Sequence, residues 1–216
     1  FPYTTLFRSM LSFKYEQNPH EIEAQSFKQI RELTDLSRFS KDEAQIAMRL
    51  VHTCGEPAVA EHAYFSDNAI PAGLAALATD SALLCDVEMV RHGLTKRMLK
   101  KTPLCFLNDD DIPGLAKQKG ETRTMAALSK WPEFLEDSIV LIGNAPTALF
   151  RLLEMIDQGA PKPSLVIGMP VGFIGAAEAK DALIKHHKTL GFECMTIQGR
   201  QGGSALTAGS FNMLLR

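Results

Sequence analysis

His52 and Arg49 stand three positions apart at the end of a stretch with helical apolar spacing, so both side chains project from one side of a helix. Carbonyl dipoles at a helix C-terminus favour a cationic imidazole, which suits His52 to proton donation. A surface histidine that helps to close the helix is the plainer alternative. Arg123, Lys180 and Arg200 could add fixed positive charge, and an arginine can clamp a carboxylate through two parallel hydrogen bonds. For each of these bases taken singly, a solvated surface charge is the competing explanation.

Backbone chemistry is the stronger signal. Three glycine-bearing loops, Gly143-Asn-Ala-Pro146, Gly168-Met-Pro-Val-Gly-Phe173 and Gly199-Arg-Gln-Gly-Gly-Ser204, each interrupt a change from apolar strand to helix. Glycine lets backbone approach a ligand, and a helix N-terminus offers free N–H groups to anions. The expected site is therefore wide and suited to several anionic groups. Asp86 and Glu88 could share acid–base work only on extended backbone; capping of a turn by Asp86 is an equal alternative, and Met89 reads as core.

Several chemistries are excluded. The third loop lacks the G-K-[ST] ending of a phosphate-binding P-loop, the first is not G-x-G-x-x-G, and neither G-x-S-x-G nor H-E-x-x-H occurs. His186 and His187 diverge on a helix and are expected to be exposed rather than to bind metal. Cys54, Cys85, Cys105 and Cys194 form no C-x-x-C pair, as expected of reduced, buried thiols in a cytoplasmic protein.

The elements that must position these groups alternate. Helices are predicted from Pro19 to Leu33, where Asn18-Pro19 starts an apolar stripe, and from a Ser40/Glu43 capping box to Cys54, with Gly55 as the stop. Strands are predicted at Ala82–Cys85, Leu104–Leu107, Ser138–Ile142, Leu165–Ile167 and Phe192–Ile197. Further helices follow to Ile156, near Ala176–Lys185 and at the C-terminus. This pattern gives an α/β domain, a mainly parallel sheet of about five strands with helices on both faces and ligands at the strands' carboxyl ends.

Composition agrees. The chain has 216 residues, 45% hydrophobic and 22% charged, with net charge -2. That excludes disorder, no apolar run approaches the ~20 residues of a membrane helix, and the balance is not that of a nucleic-acid binder. Residues 1–9 resemble neither a signal peptide nor domain sequence and are expected to be a non-native leader. Residues 10–216 are expected to form a single domain.

Asp35-Leu-Ser-Arg-Phe-Ser40, Arg49-Leu-Val-His-Thr-Cys-Gly55, Cys85-Asp-Val-Glu-Met-Val90, Gly143-Asn-Ala-Pro-Thr147 and the second and third glycine loops occur in an order and at separations that resemble the precorrin-8X methylmutase family. The resemblance covers Pro19 to the C-terminus. It implies an isomerase of cobalamin biosynthesis that moves a methyl group from C11 to C12 of a tetrapyrrole, giving hydrogenobyrinic acid. It also implies a homodimer with sites near the interface, no organic cofactor, no metal site and a tightly held corrin product. His52 falls on the family's catalytic histidine, which protonates the macrocycle and promotes a sigmatropic methyl shift. Ser26, Arg49 and Arg123 match polar positions of the family's pocket, and Met89, Thr95, Lys180, Arg200, Gly203 and Ser204 complete the expected substrate-binding set. Glu23 stands where some members acting on the metal-free ring carry tyrosine. The alternatives are a cobalt-precorrin-8 methylmutase giving cobyrinic acid, a non-catalytic tetrapyrrole carrier, and a nucleotide- or sugar-phosphate-binding protein. The loop pattern alone favours the last of these; the ordered blocks outweigh it.

Overall fold

The computed structural model describes residues 11–79 and 81–216; the leader expected at residues 1–9 lies outside them. The helices are α1 (Pro19–Leu33), α2 (Lys41–Cys54), α3 (Ala69–Ala78), α4 (Glu88–Gly93), α5 (Ile112–Lys119), α6 (Arg123–Ala127), α7 (Pro132–Leu135), α8 (Pro146–Asp157), α9 (Ala176–Leu190) and α10 (Ser204–Leu214). The strands are β1 (Ala63–Phe65), β2 (Leu83–Cys85), β3 (Ile139–Ile142), β4 (Leu165–Gly168) and β5 (Glu193–Ile197), in the sheet order β1-β5-β4-β3-β2.

Strands β2 to β5 run parallel, with Leu83 opposite Ile139, Ile139 opposite Leu165 and Leu165 opposite Glu193. Alternation of side chains divides each strand between two cores. Ile139, Leu141, Leu165, Ile167, Met195 and Ile197 face a core shared with α2, α3, α4 and α10. Val140, Ile142, Val166 and Cys194 face the opposite core, built with α8 and α9. Burial on both faces explains why β3 and β4 are continuous apolar runs rather than alternating ones.

Local signals set the helix ends. Asn18 accepts a hydrogen bond from the His20 N–H at 3.0 Å. Ser40 and Glu43 form the reciprocal capping box, at 2.8 Å and 3.4 Å. Gly55 closes α2 with φ 72°, and its N–H donates to the Val51 carbonyl at 2.8 Å.

Two expectations about the sheet need correction. Leu104–Leu107 is not a strand: only Leu104 pairs, in an isolated parallel bridge with Leu84. Its place in the count is taken by β1, which runs antiparallel to β5 with Ala63 opposite Ile197. Three residues, Ala-Tyr-Phe, are too short to show a period, and the preceding 3-10 turn (Pro57–His62) hides their start. Helix α9 also runs to Leu190, beyond Lys185.

All three glycine loops lie at the carboxyl edge of the parallel strands. The second and third are joined. The Gly203 N–H donates to the Met169 carbonyl at 2.8 Å, and the Gly172 N–H to the Arg200 carbonyl at 3.3 Å. A Cβ on Gly202 would stand 2.3 Å from the Met169 carbonyl oxygen and 2.6 Å from that of Pro170. Both obstacles are backbone, so Gly202→Ala must part the two loops. An overpacking cost of about 1–3 kcal/mol is expected, read as a lower urea midpoint at unchanged slope. An unchanged midpoint would show that the loops are not in contact in solution.

Candidate active site

His52 lies in the last turn of α2 with its ring exposed. Its Nδ1 is 2.9 Å from Ser26 Oγ on α1. Phe27 stacks on the imidazole, with centroids 5.2 Å apart and planes 11° apart. The Arg49 guanidinium lies 4.9 Å from the Phe27 ring centroid. Arg49 also donates to Glu23 Oε1 at 3.3 Å, and Arg216 reaches the same oxygen at 3.7 Å. Arg49 beside it holds the Glu23 carboxyl below the usual range.

The ring is thus fixed at one nitrogen and one face, while among the described residues Nε2 has no hydrogen-bond partner. An imidazole held this way can exchange a proton through Nε2 with a ligand above the exposed ring. Losing the Ser26 hydroxyl should cost about 1 kcal/mol of positioning. Ser26→Ala is therefore expected to lower kcat about fivefold with a smaller change in KM; an unchanged kcat would show that Ser26 does not orient the ring.

Helix α10 connects this cluster to the loops. It begins at Ser204, directly after the third loop, and its Gly209 faces α2: a Cβ there would lie 3.2 Å from Thr53 Oγ1 and 3.8 Å from Arg49 Cγ. At 1.5 Å rise per residue, Gly209 is about 9 Å along the axis from Gly203. Ser204 is buried and adjoins the first loop, where its Cα would be 2.9 Å from a Cβ on Gly143.

The first loop is not open to a ligand in the way its sequence suggests. Asp86, buried just after β2, accepts the N–H groups of Gly143, Asn144 and Ala145 at 3.0, 2.8 and 3.0 Å. Its carboxylate already occupies the anion position ahead of α8; Asp86 is structural, but the turn it caps follows β3 rather than its own strand β2. Helices α9 and α10 have no side-chain cap, and the glycines before them have φ 76° and 120°. Two of the three loop N-termini therefore remain available to an external anion.

Lys180 is likewise not a surface charge. It is fully buried in α9, and its Nζ donates to the Gln201 carbonyl at 2.5 Å, bracing the third loop from beneath. Burial pushes its ammonium down to about 8. Between about pH 8 and the ordinary lysine value near 10.4, the unfolded chain holds a proton that the folded chain has released. Lys180 therefore adds stability as pH rises through that window. The urea midpoint of wild type, relative to Lys180→Met, is expected to climb between about pH 8 and 10; a constant difference would show that Lys180 titrates normally.

The other candidates are dispersed. Met89 is 73% exposed on α4, contrary to its reading as core. The Thr95 N–H donates to Asn212 Oδ1 at 2.9 Å, tying the segment after α4 to α10. Arg123 is exposed at the start of α6, whose capping Thr122 contacts Thr147 of α8 at 3.1 Å. Arg200 lies 5.6 Å from the ring centroid of Phe173, which is 87% exposed. Of the adjacent histidines, His186 is exposed but His187 is buried, between the Tyr64 hydroxyl at 3.0 Å and the Phe192 carbonyl at 3.1 Å. Cys54 is exposed and Cys105 half-buried, so only Cys85 and Cys194 are the buried thiols expected. Sequence reasoning overlooked Phe27, whose place in an apolar stripe reads as core. A cleft of about 860 Å³ at the amino ends of the strands, where Asp67, Lys162, Lys188 and Glu193 meet, shares no residue with the His52 cluster.

No helix among the described residues is long and apolar enough to cross a membrane. Residues 21–216 match the family model described as precorrin-8X methylmutase. The chain is 46% identical over 209 residues to a precorrin-8X methylmutase from Sinorhizobium sp, covering 96% of this chain and 99% of that protein. It is also 46% identical to one from Pseudomonas aeruginosa, covering 93% and 96%. A cobalt-precorrin-8 methylmutase from Salmonella typhimurium is 36% identical, covering 93% and 96%. The solved structure of a Thermus thermophilus precorrin-8X methylmutase superposes with a TM-score of 0.81 at 33% identity, covering 91% of this chain and 95% of that one. On both sequence and fold, the chain belongs to the precorrin-8X methylmutase family of isomerases in cobalamin biosynthesis.

Proposed function

We propose that this chain converts metal-free precorrin-8X to hydrogenobyrinic acid. The observation that carries the choice of substrate is the 46% identity to two proteins named for precorrin-8X, against 36% and 34% for relatives named for the cobalt form. His52 lends the Nε2 proton to the macrocycle. The methyl group then migrates with its bonding pair, so that the C11–CH3 bond breaks as the C12–CH3 bond forms. The proton returns to His52, and substrate and product have the same formula. No nucleophile or hydride carrier is needed from the protein, whose work is positioning and one proton exchange.

Ser26 orients the imidazole, while Arg49 and Arg123 meet acetate or propionate carboxylates of the ring. The uncapped starts of α9 and α10, with Gly203, Ser204 and Arg200, offer further donors to such carboxylates. Thr95 and Met89 are proposed to contact the ring, and Lys180 holds the third loop through the Gln201 carbonyl. Met89, Phe173 and Ile174 expose apolar surface, 73%, 87% and 91% exposed, which suits a flat ring and a second subunit. The working form is proposed to be a cytoplasmic homodimer with sites near the interface and the corrin product tightly held.

Incubation with precorrin-8X should give a product of unchanged mass whose migrated methyl is found by ¹³C NMR on C12. The ratio kcat/KM is expected to be about tenfold or more higher for precorrin-8X than for cobalt-precorrin-8. The reverse preference would assign the chain to the cobalt substrate, and a bound but unchanged chromophore would make it a carrier.

A further inference from the structure

Between Arg91 and Lys101, five of eleven residues are Lys or Arg and none is Asp or Glu, in a chain whose net charge is only -2. The fold gathers four of these five charges. Arg91, Lys96, Lys100 and Lys101 line one cleft of about 280 Å³ beside the β2 edge of the sheet, together with Thr102. That volume is near the lower end of the ~300–1,000 Å³ of small-ligand sites.

Among the described residues, Glu88 supplies counter-charge beside these cations. Glu88 Oε2 accepts from Arg91 Nε at 2.6 Å and lies 3.4 Å from His92 Nε2. Lys96 Nζ is 3.2 Å from His92 Nδ1, so one carboxylate serves Arg91 directly and Lys96 through the imidazole. Glu88 engages Arg91 through Nε and leaves the two terminal guanidinium nitrogens directed elsewhere. Lys96 and Lys100 are exposed, as is Thr102 with its hydroxyl. A concave surface with one sign of charge concentrates counter-ions, and clustered negative groups can meet several cations at once.

We infer that the Arg91–Thr102 cleft is a binding site for a small polyanion, one carrying two or more closely spaced phosphate or carboxylate groups. Two sources share this chemistry: a free polyphosphate or polycarboxylate, and the carboxylate side arms of the tetrapyrrole. Only the second rests on the function proposed above.

Calorimetric titration with inorganic pyrophosphate tests the site without reference to turnover. Wild type should show saturable binding at low ionic strength that weakens as salt is added. The pair Lys96→Glu with Lys100→Glu should weaken it at least about tenfold, and Lys96→Gln with Lys100→Gln by less. Lys162→Glu, at the amino-end cleft, should leave it unchanged. Absence of saturable binding by wild type, or equal affinity in the Lys96/Lys100 variants, overturns the proposal. With binding established, the same variants identify the source. A raised KM for precorrin-8X, with pyrophosphate as a competitive inhibitor, assigns the cleft to the tetrapyrrole's side arms. An unchanged KM assigns it to a free polyanion.

Discussion

Replacing His52 with asparagine is expected to lower kcat by about 10²–10⁴-fold, the range for losing a positioned general acid. Affinity for the tetrapyrrole should change far less. Asparagine can place its amide oxygen near the position of Nδ1 and keep the Ser26 contact, now 2.9 Å. It cannot supply the exchangeable proton that imidazole presents at Nε2. Folding should be unaffected, because the ring is exposed and its neighbours, Phe27 and Arg49, are also held by Glu23 and α2. The split between kcat and binding is the informative quantity. Single-turnover rates together with product affinity would provide it. Equal losses in both would mean that His52 binds the ring rather than protonating it.

Asp86→Ala should have the largest effect on stability. The carboxylate is buried and receives three backbone N–H groups, two of them fully enclosed. Burial pushes the carboxyl up from its ordinary value, and the three donors pull against that shift. Removing it strands the donors at the junction of β2, β3 and α8. Each enclosed unsatisfied donor costs about 1–3 kcal/mol, while water can reach Asn144. The expected loss is about 3–5 kcal/mol, a large part of the ~5–15 kcal/mol of a typical domain. That corresponds to a fall in Tm of about 6–20 °C for a chain of this size. Asp86→Asn retains one acceptor oxygen and should lose less. A loss below about 1 kcal/mol for the alanine variant would show that the first loop is held by its other contacts.

The sequence was readable where one physical signal dominated. Ser40, Glu43 and Gly55 bounded α2, and unbroken apolar runs marked β3 and β4 because both their faces are covered. It was less readable where tertiary structure decides. Strand β1 exists because β5 offers it an edge, whereas Leu104 makes one bridge and leaves. The glycine of the first loop reads as an anion site, yet the carboxylate that fills it comes from Asp86, 57 positions earlier. Lys180 reads as a surface cation in a polar helix, and its burial follows from the Gln201 carbonyl across the fold. For the candidate site, helical spacing paired Arg49 with His52. Their connection through Phe27 and the Ser26 bond depends on how α1 lies against α2, which no local pattern encodes.

The visible absorption spectrum during incubation with precorrin-8X, recorded for wild type and His52→Asn, reports the chemistry itself, because methyl migration alters the conjugation of the ring. Conversion by wild type to the hydrogenobyrinic acid spectrum, with a bound but unconverted chromophore in the variant, is the expected result. Conversion at equal rates by both proteins would remove His52 from the chemistry, and a substrate spectrum unchanged by wild type would contradict the proposed reaction.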